Sequence, residues 1–179
     1  MRPVRARSDV LLPKQEAGNH DPLTRTIARE ASLHGVARVF RYRLRVRYGE
    51  CDPQGVVFNA NYLAYFDVIL TEFWREAIGD YNSMIDEHGA DMVVAESRIR
   101  YLGPAAFDEE LDFELRVSRL GKTALSTLID ANVGERPVVA GEMRHVFIDP
   151  ATKVKRPIPD EIRAGLEPYL VAEPDLAPR

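Results

Sequence analysis

Asn59-Ala60-Asn61-Tyr62-Leu63-Ala64-Tyr65-Phe66-Asp67-Val68-Ile69-Leu70-Thr71-Glu72-Phe73-Trp74-Arg75-Glu76-Ala77-Ile78-Gly79 is the most regular stretch of this 179-residue chain. Tyr62, Tyr65, Phe66, Ile69, Leu70, Phe73, Trp74 and Ala77 recur at i, i+3, i+4 and i+7. That spacing stacks side chains on one face of an α-helix. Asn59 is suited to the N-cap and Gly79 to the stop. Asp67, Thr71, Glu72, Arg75 and Glu76 fall off the stripe. A helix of about twenty residues runs about 30 Å, enough to cross a small domain.

The segments on either side of this helix read as strands. Phe40, Tyr42, Leu44, Val46 and Tyr48 alternate with Arg41, Arg43, Arg45 and Arg47. Alternation places the apolar set inward and the guanidinium set outward. A solvated outer face accounts for the arginine row more simply than a phosphate site does. Downstream, Met92 to Tyr101 has β character, with Arg98 and Arg100 on an outer face, and ends before Gly103-Pro104. Leu111, Phe113, Leu115 and Val117 alternate with polar residues, Gly121-Lys122 turns the chain, and Leu125, Thr127, Ile129, Ala131 and Val133 alternate again. Gly134 to Pro137 is a further turn, and Val138 to Ile148 closes the series. Pro157, Pro159 and Pro168 mark an irregular segment with a short helix near Ile162 to Leu166. At the other end, Asp21-Pro22 followed by Leu23, Ile27 and Ala31 suits a short helix ended by Gly35. The expected organisation is an N-terminal extension over 1–36, one domain over 37–170 and a tail over 171–179. Strands gathered around a single helix indicate an α+β fold, in which a curved antiparallel sheet buries the aromatic stripe.

Composition narrows the function classes. Hydrophobic residues make up 45% and charged residues 29%, with a formal net charge of −4, so nucleic acid and anionic membranes are poor partners on charge alone. Cys51 is the only cysteine, which precludes an intrachain disulfide and suits a reducing compartment. His20, His34, His88 and His145 form no close pair of metal-ligand spacing, so no metal is expected. No run is long and apolar enough to span a membrane. Arg2, Arg5 and Arg7 lack the apolar core of a secretion signal, and the cytoplasm is the expected compartment.

Chemistry concentrates in Tyr48-Gly49-Glu50-Cys51-Asp52-Pro53-Gln54-Gly55-Val56-Val57-Phe58-Asn59-Ala60-Asn61-Tyr62. Asp52 is a carboxylate in a turn, Gly55 permits close backbone passage, and the helix begins seven residues beyond Asp52. Helix N-termini carry unpaired N–H groups and partial positive charge, a ready site for a developing oxyanion. A carboxylate nearby can serve as base or nucleophile. Equally, Asp before Pro is common in plain turns, and Asn at a helix start is ordinarily a cap. Cys51 reads as packing, since no histidine lies near it in sequence, and His145 reads as structural within its strand.

The same fifteen residues resemble the signature of the 4-hydroxybenzoyl-CoA thioesterase family, whose members have the hotdog fold and hydrolyse acyl-CoA thioesters. The likeness is dense over 46–66, and compatible strand order extends it to about Ile148. It implies that Asp52 is the catalytic carboxylate and that the Asn59 backbone N–H polarises the thioester carbonyl. It implies that Gly55, Phe58 and Tyr62 border the substrate, and that Lys122, in an Arg-Leu-Gly-Lys-Thr turn, contacts coenzyme A across a subunit boundary. Other hotdog thioesterases carry the acid on the central helix, which makes Asp67 and Glu72 the alternative carboxylates. The resemblance further implies a homodimer or homotetramer, acyl-CoA as substrate and no cofactor. Two other readings keep the fold: a non-catalytic acyl-thioester-binding protein, and a dehydratase. The latter generally needs a histidine beside its acid, and none lies in 49–62.

Overall fold

A computed structural model describes residues 37–79 and 81–171; the helix expected from Asp21-Pro22 and the end of the tail lie outside them. The order is β1 (Phe40–Arg45), a 3-10 turn (Tyr48–Glu50), α1 (Asn61–Ile78), α2 (Tyr81–His88), β2 (Asp91–Tyr101), β3 (Glu110–Leu120), β4 (Ala124–Val133), β5 (Arg136–Ile148) and α3 (Asp160–Leu166), with a 3-10 turn over Glu167–Tyr169. The five strands form one antiparallel sheet in the order β1-β3-β4-β5-β2. The helix expected from the aromatic stripe is α1, and it packs against this unclosed sheet in the hotdog arrangement expected above.

The stripe is buried as its spacing requires. Tyr62, Tyr65, Phe66, Ile69, Leu70, Phe73 and Trp74 are all buried, and Ala77 packs at the margin. Across from them lie Phe40, Leu44, Leu111, Phe113, Leu115, Val117, Leu125, Ile129, Ala131, Val139, Met143 and Phe147, the inward residues of β1, β3, β4 and β5. Aromatic edges do much of the fitting. Phe66 meets Phe113 edge-on at 6.5 Å, and Phe73 meets Phe40 at 5.7 Å and Tyr169 at 5.0 Å. At Gly141 the helix comes closest to the sheet: a Cβ built there would lie 2.3 Å from the Phe66 ring. The glycine in the middle of β5 is therefore a seat for a phenylalanine.

Four local expectations change. Asn59 is not the N-cap: α1 begins at Asn61, and the cap position is Ala60, which has no side-chain acceptor. Asn61 N–H donates instead to the Phe58 carbonyl at 2.9 Å, a tight-turn entry in place of a side-chain cap. Tyr48 does not continue the inward set of β1, because the 3-10 turn takes over and leaves it 82% exposed. Tyr101 is likewise half exposed at the end of β2. α2 was not expected at all, since eight residues with few apolar positions carry too little periodicity to read. Its Tyr81 hydroxyl donates to Asp91 Oδ1 at 2.6 Å, tying it to the start of β2.

The arginine row does face outward, and carboxylates of β3 answer it. Arg41 pairs with Glu114, Arg43 with Asp112 and Glu110, and Arg45 with Glu110 and Asp108. The register puts Arg41 opposite Glu114 and Arg43 opposite Asp112, so the ladder follows directly from strand pairing. A row neutralised in this way has little left to offer a phosphate.

His145 is buried against α1, its ring edge-on to Trp74 at 6.2 Å, and its Nδ1 has no hydrogen-bond partner among the described residues. Burial pushes its pKa down to about 4, against a weak opposing pull from Asp67. Because the folded pKa lies below the unfolded one, the unfolded chain binds more protons between the two values, and stability falls as pH falls. From pH ~6.5 to ~4 the native protein should lose up to about 3 kcal/mol more than His145→Leu does, measured by urea unfolding at each pH. Gly141→Ala should cost about 1–3 kcal/mol in the same assay at neutral pH, because Phe66 has no free volume into which to retreat.

Candidate active site

The loop between β1 and α1 is a miniature hairpin. Cys51 bridges Val57, Asp52 N–H donates to the Val56 carbonyl at 2.8 Å, and Gly55 N–H donates to the Asp52 carbonyl at 2.9 Å. Gly55 sits at φ 82°, a left-handed conformation that a residue with a Cβ resists. This explains the Pro53-Gln54-Gly55 sequence: proline opens the turn and glycine closes it. The Asp52 side chain joins in, with Oδ1 accepting the Gln54 N–H at 2.8 Å. Its Oδ2 takes no hydrogen bond among the described residues. One carboxylate oxygen is held and the other is available.

Glu50 anchors the loop to the helix. Its carbonyl accepts the Phe58 N–H at 2.9 Å and the Asn61 Nδ2 at 2.7 Å. Its carboxylate accepts the Tyr65 hydroxyl at 2.7 Å and the Arg47 N–H at 2.7 Å. Burial first, and then this bond to Glu50, push the Tyr65 phenol far up, so it stays a donor. On the other side, Val57 N–H donates to the Ala105 carbonyl at 2.8 Å, and Val56 bridges Ala106. The 103–109 connection is braced in turn by Arg136, which binds the Glu109 carboxylate at 2.7 Å and also the Pro104 carbonyl. Those bonds and the Ala106 N–H hold the Glu109 carboxyl below its usual range, the Ala106 bond first.

Between loop, helix start and strand end lies a cavity of ≈ 270 Å³, lined by Asp52, Val56, Val57, Phe58, Asn59, Tyr62, Tyr101, Gly103 and Pro104. Four of the residues named from sequence, Asp52, Phe58, Asn59 and Tyr62, therefore share it. Gly55 shapes the loop without lining the cavity. The Asn59 N–H finds no acceptor among the described residues, and neither does that of Ala60. An uncapped helix start thus presents free donors next to a carboxylate. Tyr62 is buried, and burial, then its neighbour Tyr101, pushes its phenol up to about 12.

Lys122 lies elsewhere. It is exposed at the β3–β4 turn, beside the end of the sheet where Met92 pairs with Phe147, whereas Tyr101 pairs with Val139 at the other end. Eight residues along β5 separate these levels, roughly 26 Å. Within one chain Lys122 cannot reach the Asp52 cavity. Asp67 and Glu72 do not line it either; Asp67 is exposed, and Glu72 pairs with Arg75. Cys51 is half buried, with Sγ 3.9 Å from the Arg47 carbonyl, as its packing role requires. No group of three or more potential metal ligands occurs among the described residues, and no helix among them is long and apolar enough to cross a membrane.

Sequence reasoning missed Tyr101, Gly103, Pro104, Val56 and Val57 as cavity residues, and Glu50, Asn61 and Tyr65 as its supports. Asn61 and Glu50 stand within the quoted motif, but nothing in their spacing separates a tether from a solvated side chain. Tyr101 is thirty-nine residues beyond the end of the motif, and only the sheet brings it back.

Comparison with known proteins places this geometry. A family model described as the thioesterase-like superfamily matches residues 46–166, the span from the end of β1 through α3. The acyl-CoA thioester hydrolase YbgC of Escherichia coli is 28% identical over 127 residues, covering 70% of this chain and 94% of that protein. The 1,4-dihydroxy-2-naphthoyl-CoA hydrolase of Nostoc punctiforme is 25% identical over 128 residues, covering 72% and 86% respectively. A crystal structure of a hypothetical protein from Aquifex aeolicus superposes with a TM-score of 0.65 at 26% identity, covering 71% of this chain and 98% of that one. The match takes in the Asp52 loop, the central helix and all of β2 to β5, and the chain belongs to the thioesterase-like superfamily.

Proposed function

We propose that this chain hydrolyses an acyl-CoA thioester to the free carboxylic acid and coenzyme A, with Asp52 as the reacting carboxylate and the Asn59 N–H as oxyanion donor. The observation that carries the proposal is the meeting, around one cavity, of a carboxylate with a free oxygen and a helix N-terminus with free donors. The activities named for the Escherichia coli and Nostoc relatives support the reaction class.

A thioester carbonyl in this cavity has its oxygen at the positive end of α1. As the carbonyl carbon becomes tetrahedral, negative charge builds on that oxygen, where the N–H group and the helix dipole already point. Two routes use the same atoms. In one, Asp52 Oδ2 takes a proton from water while the water oxygen bonds to the carbonyl carbon. The C–S bond then breaks, and the departing thiolate takes up that proton. In the other, Asp52 itself bonds to the carbon and expels the thiolate. Water then cleaves the resulting anhydride to the free acid and the Asp52 carboxylate, and the proton this releases goes to the thiolate.

β2 supports an assembly of at least two copies. Among the described residues it is an edge strand of eleven residues paired only with β5, and its stretch Val93 to Arg98 is exposed throughout. A long open edge of this kind invites another strand. A two-fold axis pairing two β2 edges runs them antiparallel. That reversal sets the Met92 end of one copy, with its Lys122 turn, at the Tyr101 end of the other. An ammonium group supplied in this way suits the phosphates of coenzyme A.

Asp52→Asn should lower kcat by about 10²–10⁴-fold in a thiol-release assay, with folding unchanged. Undiminished turnover would rule out the assignment, and loss of turnover in Asp67→Ala or Glu72→Ala instead would move it to the helix. Single turnover in ¹⁸O-water tests the anhydride route, which alone can leave label in Asp52, when water attacks the Asp52 carbonyl carbon of the anhydride. Lys122→Ala should raise KM for acyl-CoA roughly fivefold with kcat nearly unchanged, and leave hydrolysis of the N-acetylcysteamine thioester, which lacks the phosphates, as it was. Light scattering should give at least twice the 20.2 kDa chain mass.

A further inference from the structure

We infer that Tyr101 is the positioning residue of the oxyanion turn: from the end of β2 its hydroxyl holds the Asn59 carbonyl, while the Asn59 and Ala60 N–H groups stay free for the substrate. The inference rests on the Asn59 N–H being the oxyanion donor.

A helix start is ordinarily stiffened by a Ser, Thr, Asp or Asn side chain that folds back onto the first free N–H groups. Such a cap bonds the second or third N–H of the helix, here Tyr62 or Leu63, and so fixes the residues that enter the helix. In α1 the cap position is Ala60, and no side chain performs this task. The Tyr101 hydroxyl donates to the Asn59 carbonyl at 3.2 Å, while the helical bond to the same carbonyl, from Tyr62 N–H, is long at 3.4 Å. The planar peptide transmits this hold: fixing the 59–60 carbonyl limits ψ of Asn59 and hence the freedom of the residue that carries the donor.

Tyr101 is itself braced. Its ring meets buried Tyr62 edge-on at 5.6 Å, and its backbone pairs with Val139. Immediately beyond it, Leu102 N–H and Gly103 N–H both donate to the Val138 carbonyl, at 2.8 and 3.2 Å. The phenol is thus a strut from the sheet to the turn, and it lines the same cavity as Asp52.

Tyr101→Phe keeps the ring and removes only the hydroxyl. It should lower kcat about tenfold and leave KM within about twofold, since the loss falls on a donor that works mainly in the transition state. A second readout bypasses turnover: an acyl-CoA analogue with the thioester sulfur replaced by CH₂ and its ketone carbon labelled with ¹³C. In difference infrared spectra the bound ketone stretch should move to higher wavenumber in Tyr101→Phe than in the wild type. An unchanged stretch with unchanged kcat overturns the inference. So does a rise in KM alone, which would make Tyr101 a substrate contact, or a fall in melting temperature beyond about 5 °C, which would make the hydroxyl a support of the fold. If Asp52→Asn keeps full turnover, the Asp52 reading fails by itself, and the ketone frequency still judges Tyr101.

Discussion

The seating of Phe66 over Gly141 is the contact on which the rest of the structure depends. With no Cβ in that position on β5, α1 lies close to the sheet, and its whole aromatic stripe reaches the apolar residues of β1, β3, β4 and β5. A helix held further off would leave space beneath Phe73 and Phe66, and interiors of protein density do not tolerate such gaps. The start of the helix meets the Glu50 carbonyl through the Asn61 side chain and the end of β2 through the Tyr101 hydroxyl.

The site is divided among three kinds of structure, each doing what its chemistry permits. The hairpin supplies a carboxylate with one oxygen tied and one free. The residues entering the helix supply donors, since the Asn59 and Ala60 N–H groups find no acceptor among the described residues while those of Asn61, Tyr62 and Leu63 are bonded. The sheet supplies rigidity through Tyr101 and the Arg136–Glu109 brace. An uncapped helix forgoes a stabilising contact that most helices have, and such local departures from good folding practice are expected where a ligand must bind. The surrounding hydrogen bonds to Glu50, from Phe58, Asn61 and Tyr65, compensate without touching the donors.

The two sheet edges have opposite characters. β1 is short, and its outer face is a ladder of arginines and carboxylates, exposed and well screened by solvent, which favours solubility more than stability. β2 is long and exposed over its middle. In the single chain Lys122 stands at the far end of the sheet from Asp52, and the proposed assembly along β2 would bring the two together from different copies. Antiparallel pairing of the edge exchanges the ends.

By itself, the sequence determined whatever depends on local periodicity and turn chemistry. The stripe from Tyr62 to Trp74 could only be a helix, the alternation at Leu111–Val117 and Leu125–Val133 could only be strands, and Pro53-Gln54-Gly55 could only turn. These features are legible because neighbours in the chain are neighbours on a face. Asp52, Phe58, Asn59 and Tyr62 were legible as a group for the same reason, since one short segment carries them all. Tertiary structure decided what depends on contacts between distant residues: the strand order β1-β3-β4-β5-β2, the seat at Gly141, the capless start of α1, and the arrival of Tyr101 at Asn59 from across the fold. A tyrosine at the end of a strand looks the same in sequence whether it packs, faces water or holds a carbonyl. Only the sheet, by setting which strand ends beside which helix, distinguishes among them.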